Sequence, residues 1–234
     1  MASVRSERFW DERARENALF YVDTRLEYDN PDEDEFWRSG EEVVDSLLDA
    51  VGLTIGPAET VVDIGCGVGR ISRALAARAS HVYGVDVSSE MLARARRYND
   101  ASLAIEWLHG DGESLEVLPA ASVDGCFSFV VFQHIPDPAV TLRYVREMGR
   151  VLRPGGWALF QVSTDPSVHR GQRSIRERAK ALVHRDARFS DRAWRGSYVE
   201  IKALERAADQ GQLEVERLLD VGSQYTTVYL RRRA

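Results

Sequence analysis

Three glycines and two aspartates are spaced as if around a ligand. Residues 61–70 read VVDIGCGVGR, so an apolar run leads into Gly65, Gly67 and Gly69 before a helical segment begins. Glycine at these positions lets the chain turn sharply and lets a ligand approach the backbone. Asp63 lies two residues ahead of Gly65. A carboxylate there accepts from an ammonium group and repels a pyrophosphate. The G-x-G-x-G spacing differs from the G-x-G-x-x-G of dinucleotide sites, and no G-K-[ST] ending marks a phosphate-cradling loop. The next apolar run, HVYGVD, ends on Asp86, a carboxylate placed to accept both hydroxyls of an adenosine ribose. His134 follows a later apolar run in FSFVVFQHIPDP. Its ordinary pKa near neutrality suits a general base, although a histidine there can equally brace the loop or touch a cofactor.

These residues need a scaffold that brings strand ends together. From Glu59 onward, short apolar runs alternate with amphipathic segments. The expected strands are Thr60–Ile64, His81–Asp86, Leu103–His109, Val123–Val130 and Trp157–Ser163, and the intervening helices are Arg70–Ala79, Ser89–Tyr98 and Pro138–Leu152. This alternation predicts an α/β fold: a parallel sheet with helices on both faces. Leu213–Val221 and Gln224–Leu230, separated by Gly222 and Ser223, predict an antiparallel hairpin at the end of a seven-stranded sheet. A helix over Tyr198–Asp209 precedes them, with Ser197 and Glu200 spaced as a capping box.

Ahead of the sheet, residues 4–20 predict an amphipathic helix with Phe9, Trp10, Ala14, Ala18 and Leu19 on one face. A second helix is expected after Asn30-Pro31 and should stop at Gly52. The chain thus divides into a helical cap (1–52), a ligand-binding core (53–163), an Arg-rich insertion (164–196) and a C-terminal helix and hairpin (197–234), all within one domain.

Composition narrows the function. The 234 residues carry a formal net charge of −6, which does not advertise for nucleic acid. No apolar run approaches the roughly 20 residues of a membrane span, and the first residues form no apolar signal core, so a cytoplasmic location is expected. Cys66 and Cys126 form no metal-like pair and read as reduced thiols. No feature fixes an oligomeric state.

VVDIGCGVGR, YGVDVSSEML, HGDGESL and GRVLRPGGWALF, in that order, together resemble a class I S-adenosylmethionine-dependent methyltransferase over roughly residues 40–165. The opening ERFWDERARENALFYVD more loosely resembles the cap of small bacterial methyltransferases, many of which act on natural products. The resemblance implies a Rossmann-like sheet and S-adenosylmethionine as cofactor, with S-adenosylhomocysteine as its product. It implies that Gly65, Cys66 and Gly67 pass under the cofactor's methionine part, with Asp63 near its amino group. It also implies that Asp86 holds the ribose, that Val87 and Met91 line the adenine slot, that Asp111 and the Gly112 backbone read the adenine, and that Phe129 sits beside the sulfonium. Tyr21 and Trp37 from the cap, and Arg70 at the cofactor carboxylate, are further candidate contacts, each with core packing or a solvated surface as the alternative.

Methyl transfer is an in-line displacement with a neutral leaving group, so positioning and exclusion of water matter most. His134 is the candidate catalytic base. The [DN]-P-P-[YF] loop of amino-methyltransferases for DNA bases is absent after the fourth strand, where Gln133-His134-Ile135-Pro136 stands, so DNA is not expected as a partner. No acidic cluster accompanies that strand, so no metal is expected. A small-molecule acceptor methylated on oxygen or nitrogen is the leading expectation. Two alternatives stand beside it. Nine basic residues between His169 and Arg195 would suit docking to an acidic carrier protein or an RNA, and the fold can also bind the cofactor without transferring its methyl group.

Overall fold

Parallel strands need both faces covered, and the strands of this chain are apolar enough to require it. In the computed structural model, which describes residues 2–167 and 196–234, β1 (Thr60–Ile64), β2 (His81–Asp86), β3 (Ile105–His109), β4 (Val123–Ser128) and β5 (Leu152–Val162) are joined in a sheet with β6 (Leu213–Leu219) and β7 (Thr226–Arg232). The order is β3-β2-β1-β4-β5-β7-β6. β1 to β5 pair in parallel, and β7 runs antiparallel to both β5 and β6. The order reverses between β1 and β4, and a crevice opens at the carboxyl ends of strands at such a switch point.

Alternation along β5 shows how the two faces are filled. Trp157 and Leu159 pack with Val44, Leu48 and Val51 of α2 (Glu33–Val51) and with Ile71 and Leu75 of α3 (Arg70–Ala76). Ala158, Phe160 and Val162 point the other way, into a core with Val145 and Met148 of α5 (Pro138–Val151) and Leu204 and Ala207 of α6 (Ile201–Gln210). A third cluster gathers Ala14, Ala18 and Leu19 of α1 (Ala2–Val22) with Phe36, Val68 and Met91, the last in α4 (Ser89–Tyr98). That cluster fastens the N-terminal cap over the carboxyl edge of the sheet.

Several boundaries differ from the sequence expectation. α2 starts two residues later than Asn30-Pro31 implies, because the Asp32 carboxylate accepts from Glu35 N at 2.9 Å and caps the helix there. Its acidic first turn favours that start. Gly52 ends α2 at φ 68° as expected. The Ser197–Glu200 capping box does not form: Ser197 Oγ donates instead to Ile135 O at 2.8 Å, and α6 begins at Ile201. The β6–β7 connection spans 220–225, longer than Gly222-Ser223 alone. α1 is bent at Asn17, whose backbone is extended (φ −162°, ψ 90°). Residues 168–195, which hold most of the Arg-rich insertion with His169 and His184, lie outside the described residues.

α5 and α6 meet through glycine. A Cβ at Gly149 would lie 2.0 Å from the Gly211 carbonyl oxygen. Helix propensity alone predicts that Gly149→Ala stabilises the protein by up to about 1 kcal/mol. The backbone contact predicts the opposite, a loss of about 1–3 kcal/mol. A lowered urea midpoint for the variant is the expected result.

Candidate active site

The glycine loop leaves β1 under tight constraint. Gly65 N and Cys66 N donate to Val85 O at 2.8 and 3.1 Å, tying the loop to β2. Gly65 sits at φ 75°, and a Cβ there would come 2.5 Å from Val131 Cγ2; one at Gly67, φ 55°, would come 2.9 Å from Val22 Cγ2. The loop is thus held between the cap and the segment after β4, with its backbone bare. Asp86 completes the turn: its Oδ2 accepts from Gly67 N at 2.8 Å, and its Oδ1 accepts from Ser88 N at 2.8 Å. Burial pushes the Asp86 carboxyl up, and these N–H bonds oppose that push.

A cavity of about 370 Å³ opens above this turn, within the size range of small-molecule sites. Gly65, Cys66, Gly67, Arg70, Asp86, Val87, Met91, Gly112, Phe129, Tyr21 and His134 all line it. Eleven separate sequence expectations therefore meet on one cavity.

Three others stand off the wall. Asp63 is buried behind the loop, where it accepts from Ser72 Oγ at 2.6 Å. Asp111 folds back to accept from Glu113 N, Ser114 N and Ser114 Oγ at 2.7–2.8 Å. Burial raises its carboxyl, but these donors outweigh it and hold the group below its ordinary value. Trp37 packs edge-on against Phe36 at 4.9 Å with the Arg73 guanidinium over its ring. Helical spacing could not tell this packing face from the cavity face.

The cap supplies residues that the sequence did not single out. Asp11 Oδ1 accepts from Ser88 Oγ at 2.7 Å and from Glu90 N at 3.1 Å, which docks α1 on the end of β2. Asp23, just past α1, is buried and receives Arg25 in two bonds, Nε at 2.8 Å and Nη2 at 2.6 Å. Arg70 Nη1 lies 3.4 Å from the same carboxylate and donates to Ser39 Oγ at 2.9 Å. Burial raises the Asp23 carboxyl, but the two arginines outweigh it and hold it below its ordinary value. Arg70 is 4% exposed, and its guanidinium lies 5.7 Å from the ring centres of both Phe36 and Phe129. Its Nε has no partner among the described residues. Arg70 also lines the cavity, and a guanidinium there suits an anionic group of a ligand.

The segment after β4 also lines the cavity. Val130 adopts φ 56°, a conformation that costs a β-branched residue on the order of 1–3 kcal/mol and is found mostly at functional sites. It turns the chain into the 3-10 turn Phe132–His134. The His134 ring lies 5.7 Å from that of Trp10, edge to face. Trp10, Asp23, Arg25, Tyr144 and Tyr225 also line the cavity. They come from the cap, α5 and the β6–β7 turn, so only tertiary folding brings them together. Among the described residues, no group of three His, Cys, Asp or Glu side chains could hold a metal ion, and no helix is long and apolar enough to cross a membrane.

With this geometry in place, known proteins can be compared. Residues 62–160 match the model of a methyltransferase domain. An uncharacterised methyltransferase of Mycobacterium tuberculosis is 35% identical over 127 residues, 54% of this chain and 61% of that protein. A trans-aconitate 2-methyltransferase of an Azoarcus species is 41% identical over 117 residues, 48% of this chain and 43% of its own. The chain therefore spans less than two thirds of these curated relatives. Geranyl diphosphate C-methyltransferase of Streptomyces coelicolor, crystallised with Mg2+, geranyl diphosphate and S-adenosyl-L-homocysteine, shares the fold with a TM-score of 0.66. It is 16% identical, over 99% of this chain and 97% of that one.

The buried Asp63 carboxyl sets a pH dependence. Burial, with a smaller push from Asp86, raises it from 3.8 to about 7, against the Ser72 hydrogen bond. The native state thus holds a proton that the unfolded chain releases near 3.8. The stabilisation is full below that pH and is lost as pH rises toward 7. Asp63→Asn cannot titrate. In urea titrations between pH 5 and pH 8, the ligand-free wild type should lose stability relative to the variant; parallel pH profiles would contradict the assignment.

Proposed function

Taking residues 62–160 as an S-adenosylmethionine-dependent methyltransferase domain of class I, we propose that the protein moves a methyl group from S-adenosylmethionine to oxygen or nitrogen of a small molecule. A natural-product intermediate is the acceptor class this reading favours. The observation that carries the proposal is the convergence on one cavity of the bare glycine loop, the Asp86 carboxylate and the Arg70 side chain. That set of donors and acceptors fits the cofactor from end to end. Asp86 uses each oxygen once on a backbone N–H, which leaves lone pairs for two ribose hydroxyls. Arg70 would take the carboxylate of the methionine part, and Phe129 would flank the sulfonium.

When bound, S-adenosylmethionine supplies an electrophilic methyl group on a good leaving group. The protein's share is to align the acceptor and exclude water. Trp10, Tyr21 and Tyr225 close the cavity from the cap and the hairpin turn, so the acceptor would be enclosed rather than read from a surface. His134 stands on that wall, where its ring can take the proton that a hydroxyl or ammonium acceptor must lose. Two relatives support a small acceptor by their names, one acting on trans-aconitate and one on geranyl diphosphate.

Asp86→Ala should weaken S-adenosylhomocysteine binding about 100-fold or more, because charged hydrogen bonds to two hydroxyls are lost, while circular dichroism stays native. Calorimetry that finds wild-type affinity would remove Asp86 from the ribose. His134→Ala should leave that affinity within about threefold yet slow turnover on an acceptor found by screening about 100-fold or more. Unchanged turnover would take His134 out of proton transfer.

A further inference from the structure

Tyr144 is the polar cavity residue that neither the glycine loop nor the cap explains. It sits on α5, is 5% exposed, and packs its ring against Phe132 at 5.4 Å. Val85 and Leu115 belong to the same buried cluster. Its hydroxyl makes no hydrogen bond among the described residues, and it is not one of the sealed polar atoms without a partner. Because Tyr144 lines the cavity, the oxygen opens onto that space.

The surroundings fix both the location and the role of this hydroxyl. Burial and then the charges of Asp111, Asp86, Glu113 and Glu147 push the phenol well above its ordinary value. It therefore keeps its proton and acts as a donor. Arg143, the residue before Tyr144, pairs with Glu113 at 2.9 Å, and Leu115 N donates to Glu147 Oε2 at 3.3 Å, so this stretch of α5 lies against the segment that follows Gly110 and Gly112, which line the cavity with Val87 and Met91 where the adenosine would lie. Asp86 is suited to the ribose hydroxyls, which are donors. A protonated phenol needs an acceptor, and the acceptors of a purine are its ring nitrogens.

We propose that Tyr144 is an adenine-binding residue whose hydroxyl donates a hydrogen bond to a ring nitrogen of the cofactor. The proposal rests on the methyltransferase reading above. Leucine or phenylalanine would fill the same core position as well, and a hydroxyl placed there without a partner would only lower stability. Tyr144 thereby joins α5 to cofactor recognition, beside the segments after β1, β2, β3 and β4 and the cap.

The test is calorimetry of wild type and Tyr144→Phe with S-adenosylhomocysteine. Phenylalanine keeps the ring and its packing, so the ligand-free unfolding midpoint should hold or rise. Affinity should fall about tenfold. The 1-deaza, 3-deaza and 7-deaza forms of the same ligand then identify the nitrogen. One of them should weaken binding to wild type about tenfold and lose that extra penalty in the variant. Equal affinity of the two proteins for the parent ligand, or the same deaza penalties in both, would overturn the proposal. Failure of the wild type to bind S-adenosylhomocysteine at all would refute the methyltransferase reading first, and Tyr144's role with it.

Discussion

The Asp86 carboxylate is the joint on which the site depends. One oxygen holds Gly67 N and the other holds Ser88 N, so a single half-buried group fixes the glycine loop to the end of β2. Ser88 in turn caps α4 through Met91 N and donates to Asp11 of the cap. Loop, strand end, helix start and cap therefore share one hydrogen-bonded chain. Partial burial pushes this carboxyl up, and the two backbone donors oppose that push. The same arrangement keeps its remaining lone pairs facing the cavity, so the constraint that shapes the turn also prepares it for a ligand.

A second charge group, this one buried, sets the far side. Asp23 is shared by Arg25 and Arg70, and Arg70 rests between the Phe36 and Phe129 rings. α1, α2, α3 and the segment after β4 all contribute to it. An ion pair of this kind gives little net stability once desolvation is counted. Its effect is positional: the cap is registered against the glycine loop, and the Arg70 side chain is held on the cavity wall. Val130, held in a strained conformation, adds the third fixed point by turning the chain toward His134.

Much of this was legible in the residues, because the signals are local. β1 and β2 fall where the apolar runs VVDI and HVYGVD place them, and the loop glycines, Asp86, Val87, Met91 and Phe129 gather on one cavity as their strand-end positions imply. What was not legible depends on partners distant in sequence. Asp11, Asp23 and Tyr144 look like ordinary helix-surface or core positions until α1 folds over β2 and α5 packs under β4. Ser197 carries a capping-box pattern, yet the Ile135 carbonyl competes for its hydroxyl and wins. Trp37 shows the limit of aromatic spacing in a cap helix, since one face of α2 meets the core and the adjacent face meets Arg73. Asp63 and Asp111 are placed correctly in the chain but spend their oxygens on Ser72 and on the 111–114 turn.

The central claim is that this cavity holds an adenosyl cofactor bearing an amino-acid tail, not a dinucleotide. Isothermal titration of the purified protein with S-adenosylmethionine, S-adenosylhomocysteine and NAD tests it most directly. The account predicts micromolar binding of the first two and none of NAD, because Asp86 and Arg70 suit a ribose and a carboxylate while no loop is built to cradle a pyrophosphate. Binding of NAD with silence toward the sulfur ligands would contradict it.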